Sequence, residues 1–349
     1  MNNRERKILR FVLAITTGFT LSQLINWQLS YLTPILLSIL MGGPNIDFKT
    51  GMGFFAVIVV GCLFGLLLSM SLVDYPLVCL LVFSVLLLHI YSAGNRGLSP
   101  FAVIMLIMAV TVIPLIGIAS INLSWLLVEA LTISGFVSVA IALVFFTVMP
   151  TEPDPVMEVP EPENTQLSPE QSALISTLVI VPLLAYYYSF SVTSAIIVMV
   201  FAAILAQTVN LATTKKGAAV LILANGLGGI AAVAVYNFLV IVPWWPFMVA
   251  LIALTATIFA DRIFSGKPTA PLYSSAFTAV LLLVGSSVSS DSADAAQKFL
   301  VRLTQIFLAG AYVVAAFSLL KALSNYLNRD QQQAPAAAAE TAVVTDIGA

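Results

Sequence analysis

The sequence predicts an all-α integral membrane protein with about twelve transmembrane helices, arranged as two parallel six-helix repeats with both termini in the cytoplasm. The composition is the first observation: 60% of the residues are hydrophobic and 9% are charged, whereas a soluble domain has about 25% charged residues. The mean hydropathy is +1.05. The apolar residues come in long runs without the alternation of membrane strands, which favours helices that cross a bilayer.

The spacing of the apolar runs is the second observation. A hydrocarbon core of roughly 30 Å needs about 20 apolar residues per helix. On this basis we predict spans at 7–27, 31–44, 51–73, 76–93, 100–119, 122–149, 170–188, 192–208, 214–240, 245–264, 270–288 and 296–325. These are two sets of six.

The placement of lysine and arginine is the third observation. Cytoplasmic loops of membrane proteins carry an excess of these residues. With the predicted spans, twelve of the fourteen bases fall on one side of the membrane, and Lys298 and Arg302 fall near the other. This sorting predicts that the two termini and the central linker lie in the cytoplasm.

A linker rich in proline and acid separates the two sets of spans. Residues 150–169 contain six prolines, five acids and no base. Such a segment does not build a packed core, because proline removes backbone donors and like charges repel. We therefore predict a first repeat at 1–149, a cytoplasmic linker at 150–169, a second repeat at 170–329 and a disordered tail at 330–349.

The two sets resemble each other in sequence. Lys49-Thr50-Gly51 aligns with Lys215-Lys216-Gly217, and Leu32–Leu37 aligns with Val192–Ile197. Because six spans is an even number, both repeats enter the membrane from the same side and are related by an axis along the membrane normal. Chance similarity between apolar helices is the alternative interpretation.

The sequence carries none of the patterns that we would expect of an enzyme. It has no P-loop that would bind nucleotide, and no cysteine and histidine spacing that indicates a metal site, so we expect no cofactor. Cys62 and Cys79 lie within apolar runs, as core residues do. The single histidine, His89, lies near the cytoplasmic end of the fourth span, where we expect a packed or interfacial side chain.

Two charged residues within predicted spans are the first candidates for a substrate and proton pathway, because charge is costly in lipid. Glu129 lies in the sixth span and Arg302 at nearly the same depth in the twelfth. We expect Arg302 to attract an anionic substrate and a buried Glu129 to bind the coupled proton. A structural ion pair, or an arginine that reaches outward, is the alternative.

The second span of each repeat is the other candidate pathway. The run at 31–44 contains Thr33 and Pro34 and is too short to cross as a simple helix, and Thr193 and Ser194 occupy the matching place in the second repeat. Short spans at matching places point to a substrate site, where freed backbone N–H groups bind a carboxylate. A plain kinked helix is the alternative. Asn225, in a glycine-rich ninth span, is a further candidate for lining the pathway.

The short second span, the cytoplasmic base followed by glycine and the glycine-rich third span together resemble the fusaric-acid-resistance (FUSC) family of inner-membrane proteins. Thr33-Pro34 to Lys49-Thr50-Gly51, and Arg302 to Gly310, carry the resemblance. It implies export of aromatic or other organic acids, together with a periplasmic membrane-fusion adaptor and an outer-membrane channel. Many family members carry a large cytoplasmic domain after each six-span unit, whereas this chain has the linker and a short tail.

From these observations we expect a multi-pass transporter of the bacterial inner membrane that exports small organic anions, such as aromatic carboxylic acids, in a proton-driven manner. A gated anion channel, or a membrane scaffold that binds an adaptor without transporting, is the alternative. The expected partners are the anion, the lipid bilayer, the adaptor and outer-membrane channel, and further copies of the chain in a homo-oligomer. We expect no nucleic acid.

Overall fold

The fold is helical throughout the part of the chain that the structure describes. This computed structural model describes residues 2–72, 75–151, 168–190, 215–267, 269–288 and 300–320, apart from 302 and 306. No strand occurs within these ranges. The described part of the chain is therefore all-helical, as the sequence predicted.

The first half of the chain forms seven helices and one π-helical turn. Their bounds are α1 (Asn3–Ile25), α2 (Leu32–Gly42), α3 (Phe48–Leu72), α4 (Pro76–Asn95), α5 (Pro100–Ile107), a π turn (Met108–Val112), α6 (Ile113–Gly117) and α7 (Ile121–Val148).

The second half contributes five described helices. These are α8 (Pro169–Phe190), α9 (Lys215–Ile241), α10 (Trp245–Ile263), α11 (Ala270–Val288) and α12 (Leu303–Leu320). Helices occur at each predicted span that the structure describes, and the predicted span at 192–208 lies outside the described residues.

Among the described residues, eight helices are long and apolar enough to cross a membrane, namely α1, α3, α4, α7, α8, α10, α11 and α12. Large apolar side chains on their outer faces are exposed. On α3, for example, Val60, Leu63 and Leu67 are each more than half exposed. An apolar surface of this kind is expected where lipid takes the place of water.

Two predicted spans differ from simple crossing helices. The second span forms an 11-residue helix, α2, which is roughly 16 Å long at 1.5 Å per residue. The fifth span is divided by the π turn, because Pro114 lies just after it. A proline lacks the N–H and clashes with the carbonyl four residues earlier, so the chain widens locally.

Contacts between helices follow a recurring pattern in the two halves. In the first half α3 packs against the α5–α6 segment, and in the second half α9 packs against α11. Across the halves, α1 packs against α10 and α4 packs against α8. Helix α2 also contacts α11, so the short helix lies where the two halves meet.

A glycine permits each of the two packings within a half. A Cβ atom at Gly65 would clash with the Ala109 carbonyl group, and one at Gly228 would clash with the Ala276 carbonyl group. In each case the clash is with the main chain of the neighbouring segment, which cannot turn aside as a side chain can. The helix axes approach closely because these glycines have no Cβ atom.

Candidate functional site

The beginning of the short helix α2 lies inside the helical bundle. The Ser138 hydroxyl lies 3.0 Å from the Thr33 carbonyl oxygen and 2.6 Å from the Ser134 carbonyl oxygen. Ser134 and Ser138 stand near the middle of the 28-residue helix α7. The first turn of α2 is therefore at mid-height of α7, where the positive end of the α2 dipole favours negative charge.

Two hydroxyls at this turn are buried and without hydrogen-bond partners. Ser30 and Thr33 are both 0% exposed, and neither side-chain oxygen has a partner among the described residues. A Thr33 hydroxyl within a helix would usually bond to a carbonyl one turn earlier. In this structure the Thr33 hydroxyl makes no such bond.

These unpartnered hydroxyls are free to donate hydrogen bonds to a polar ligand. A buried polar group without a partner costs about 1–3 kcal/mol relative to one that is hydrogen-bonded. A ligand oxygen that accepts from Thr33 and Ser30 recovers this free energy. The sequence prediction that singled out Thr33 thus identified a residue with an unmet hydrogen bond inside the bundle.

The expected backbone donors are not free at this turn, and this part of the prediction is wrong. The N–H groups of Leu32 and Thr33 donate within the preceding turn, at 2.9 and 3.1 Å, and Pro34 has no N–H. Pro34 is buried in the first turn of α2, where proline is tolerated. It therefore begins the helix rather than interrupting it, and the hydroxyls take the place of the amides as donors.

Helix α1 carries two more buried hydroxyls. The Thr16 and Thr20 oxygens, one turn apart on α1, are buried and lack partners among the described residues. Helices α1 and α2 approach closely at Gly18, where a Cβ atom would meet Leu37 and Thr33. Each threonine is two residues from Gly18 and therefore lies on a different face of α1 from the one that meets α2.

Trp27 also contacts the part of α7 that lies beside the start of α2. Its indole Nε1 donates to the Ser134 hydroxyl at 3.0 Å. Trp27 lies in the connection between α1 and α2, so this bond ties the connection to the middle of α7. We define the hydroxyl site as Ser30, Thr33, Ser134 and Ser138.

Arg10 is a buried cation whose position the sequence analysis missed. The residue lies within the predicted first span, at 7–27, and is 2% exposed. Its guanidinium donates to the Asn45 amide oxygen, the Met149 carbonyl and the Thr151 hydroxyl, and it lies 4.3 Å from the centre of the Phe146 ring. Its spacing from the other bases in the sequence gave no sign of this role.

Glu129 is exposed on α7, so the predicted burial is wrong. It shares a face of the helix with Trp125 and Phe136, which are 52% and 58% exposed. Residues four and seven apart fall on one face, and the core of the bundle is on the other. Trp125 is typical of the membrane interface, so Glu129 lies one turn from that interface and can reach it.

The remaining candidate side chains lie outside the part of the chain that the structure describes. Arg302, Thr193 and Ser194 lie outside the described residues. Asn225 lies on α9, and its side chain is likewise outside the part of the chain that is described. The proposed pairing of Glu129 with Arg302 therefore stays a prediction.

Comparison with known proteins gives one match. Residues 7–145 match the family model of a protein of unknown function, DUF2955. This segment runs from α1 to the last turn of α7, and it includes the hydroxyl site and Arg10. No curated protein and no solved structure matches the chain.

Proposed function

We propose that the protein exports small organic anions, such as aromatic carboxylic acids, across the bacterial inner membrane and that protons drive the export. The observation that carries this proposal is the pair of unpartnered hydroxyls, Ser30 and Thr33, at the start of a short helix inside the bundle. Transport proteins use short or broken helices near the middle of the membrane to bind the polar part of a substrate.

The helix contacts support an arrangement of two facing six-helix repeats. In such an arrangement α1, the first span, corresponds to α8, the seventh, and α4, the fourth span, corresponds to α10, the tenth. The contact of α1 with α10 then has its equivalent in the contact of α8 with α4. Both contacts occur. The packing of α3 on α5–α6 likewise corresponds to that of α9 on α11. These pairs fit a two-fold axis along the membrane normal.

The bounds of the family match also favour a six-span unit. The matched segment, 7–145, nearly coincides with the predicted first repeat at 1–149. A family model of this length fits a unit that evolved as one piece and was then joined to a second. The linker at 150–169 begins where the match ends.

The resemblance to the FUSC family suggests the substrate class and the partners. In this proposal the chain passes its substrate to a periplasmic membrane-fusion adaptor and an outer-membrane channel. A homo-oligomer in the membrane is a further part of the proposal. Protons are the proposed energy source because the sequence has no nucleotide-binding loop.

The proposal is tested by the flux of benzoate from liposomes that contain the purified protein. We expect release of preloaded radiolabelled benzoate to be faster than from protein-free liposomes when a pH difference is imposed, and slower when a proton ionophore removes that difference. Equal release with and without the ionophore would favour the gated anion channel. Release no faster than from empty liposomes would overturn transport of this substrate class.

A further inference from the structure

A cleft at the end of the bundle opens between the two halves of the chain. It has a volume of about 600 Å³ and lies between the last turns of α4 and the first turns of α8. Its lining includes Leu88, His89, Ser92 and Arg96 from α4, with Glu170 and Leu174 from α8. Its volume falls within the range of small-molecule sites, which is about 300–1,000 Å³.

An ion pair spans this cleft and joins the two helices. The Arg96 guanidinium donates to the Glu170 carboxylate at 2.7 Å. Both side chains are largely exposed, at 62% and 74%. Exposed ion pairs of this kind contribute little to stability because water screens them, so another carboxylate can compete with Glu170 for Arg96.

A second ion pair occupies the corresponding place between the other two helices. Arg4, the second residue of α1, pairs at 2.6 Å with Asp261 near the end of α10. Glu170 is likewise the second residue of α8, and Arg96 follows the end of α4. Each pair therefore joins the first helix of one half to the end of the fourth helix of the other half. In one pair the arginine belongs to the first helix, and in the other it follows the fourth helix.

The two ion pairs differ in how firmly the arginine is held. Arg4 also donates to the main-chain carbonyls of Phe264 and Asp261, at 3.0 and 2.8 Å. Within the described residues, the side-chain hydrogen bond of Arg96 goes to Glu170. Main-chain carbonyls thus help to hold the Arg4 guanidinium in place, whereas the guanidinium of Arg96 retains donors for a ligand.

The cleft combines this cation with apolar surface. Leu88 and Leu174 supply apolar contacts beside Arg96, and the Ser92 hydroxyl adds a polar group. His89 Nδ1 lies 2.7 Å from the Val85 carbonyl oxygen of the same helix. A small molecule with a carboxylate at one end and an apolar body at the other matches this lining, because arginine binds a carboxylate through two parallel hydrogen bonds.

We propose that this cleft captures the organic carboxylate before it is exported, and that the ligand carboxylate replaces Glu170 on Arg96. The proposal rests on the proposed function for the identity of the ligand, and it adds the place of capture. The ligand binds Arg96 only after Glu170 has left, so binding favours the state in which the ion pair between Arg96 and Glu170 is open.

The test is the affinity of the purified full-length protein for benzoate, measured by titration calorimetry in nanodiscs, with benzyl alcohol as the uncharged comparison. We expect Glu170→Gln to tighten benzoate binding about fivefold, the scale of an exposed ion pair, because the competing carboxylate is gone. Arg96→Gln weakens binding at least about tenfold, and Arg96→Lys retains part of it. Asp261→Asn, the matched control at the equivalent ion pair, leaves the affinity unchanged.

Hydrogen exchange gives a second readout of the opened ion pair. In the wild-type protein, benzoate is expected to speed amide exchange in the first turn of α8 and to leave the first turn of α1 unchanged. Benzoate binding that is unaffected by both Arg96→Gln and Glu170→Gln would overturn the cleft, even in a protein that transports benzoate. Binding that follows the expected pattern in a protein that transports none would instead overturn the export.

Discussion

Arg10 shows how a single residue joins three separate segments of the chain. It carries a full charge at 2% exposure, and in the described residues it is held by Asn45, Met149 and Thr151 rather than by a carboxylate. The Met149 carbonyl is the last acceptor of α7, so a cation there also complements the helix dipole. Arg10 therefore holds α1 to the end of α7 and to the connection between α2 and α3.

We expect Arg10→Gln to lower the free energy of unfolding by about 2–3 kcal/mol, the scale of hydrogen bonds to a charged group. Arg10→Lys restores part of this loss, since an ammonium group cannot reach three acceptors and the Phe146 ring together. Denaturant unfolding in detergent micelles, followed by tryptophan fluorescence, measures both variants. Arg6→Gln is the control, because Arg6 is exposed and donates to the Pro150 carbonyl; an equal loss in Arg6→Gln would contradict this account.

At the residue scale, the sequence drew attention to Thr33, whose place in a substrate pathway stays a prediction, and it gave no sign of the burial of Arg10 or the exposure of Glu129. Thr33 was found because a short, interrupted apolar run is a local pattern. The burial of Arg10 and the exposure of Glu129 depend on which face of a helix meets its neighbours. Apolar runs that are hydrophobic on all sides carry little information about that face, so sequence reasoning had no signal for either.

At the scale of helices, close approach depends on glycines placed at the contact. Gly228 of α9 lies against the Ala276 carbonyl and the Ala279 side chain of α11. Two residues away, Gly226 has no neighbouring atom within 4 Å of an added Cβ. The same helix thus contains one glycine that packing requires and one that it does not.

Gly228→Ala is expected to destabilise the protein by about 1–3 kcal/mol, because the added methyl group forces the helices apart. Gly226→Ala is expected to be neutral or to stabilise by up to about 1 kcal/mol, since alanine favours helix and nothing obstructs it. Thermal unfolding of the two variants side by side makes the comparison. A Gly226→Ala variant as unstable as Gly228→Ala would contradict this account, because neither a packing clash nor helix propensity would explain the loss at position 226.

The bounds of most helices followed from the sequence, since runs of apolar residues separated by glycine, proline and charge are local features. The short length of α2 was also predicted from its apolar run. The π turn ahead of Pro114 was harder to predict, because the contacts of this segment involve a neighbouring helix. Ser124, for example, donates its hydroxyl to the Ile113 carbonyl at 2.8 Å, and this partner becomes known only in three dimensions.

For the whole molecule, the two ion pairs define how the proposed halves meet. Arg4 with Asp261, and Arg96 with Glu170, each link the beginning of one helix to the end of another in the other half. Sequence alone predicted a duplication, because a base followed by glycine recurs in both sets of spans. Which helices would touch across the halves was not predictable, because that depends on packing between segments far apart in the chain.

We expect cysteines at positions 4 and 261, and separately at 96 and 170, to be joined by a short bismaleimide in a variant whose native Cys62 and Cys79 are replaced by alanine. After cleavage at a protease site engineered between residues 152 and 167, the two halves migrate separately on a denaturing gel unless they are cross-linked. Cysteines at 4 and 170, from two different contacts, serve as the control. Efficient joining of the control pair, or of neither expected pair, would contradict the arrangement.

The central claim is that a buried hydroxyl at the start of α2 binds the transported anion. The most direct measurement is the initial rate of benzoate release from liposomes by Thr33→Val and Thr33→Ser. We expect Thr33→Val to lower the rate about tenfold, which corresponds to about 1.4 kcal/mol for a lost hydrogen bond, while Thr33→Ser stays close to wild type. Thr147→Val, at an exposed threonine of α7, should leave the rate unchanged. A Thr33→Val protein that is folded and releases benzoate at the wild-type rate would contradict the claim.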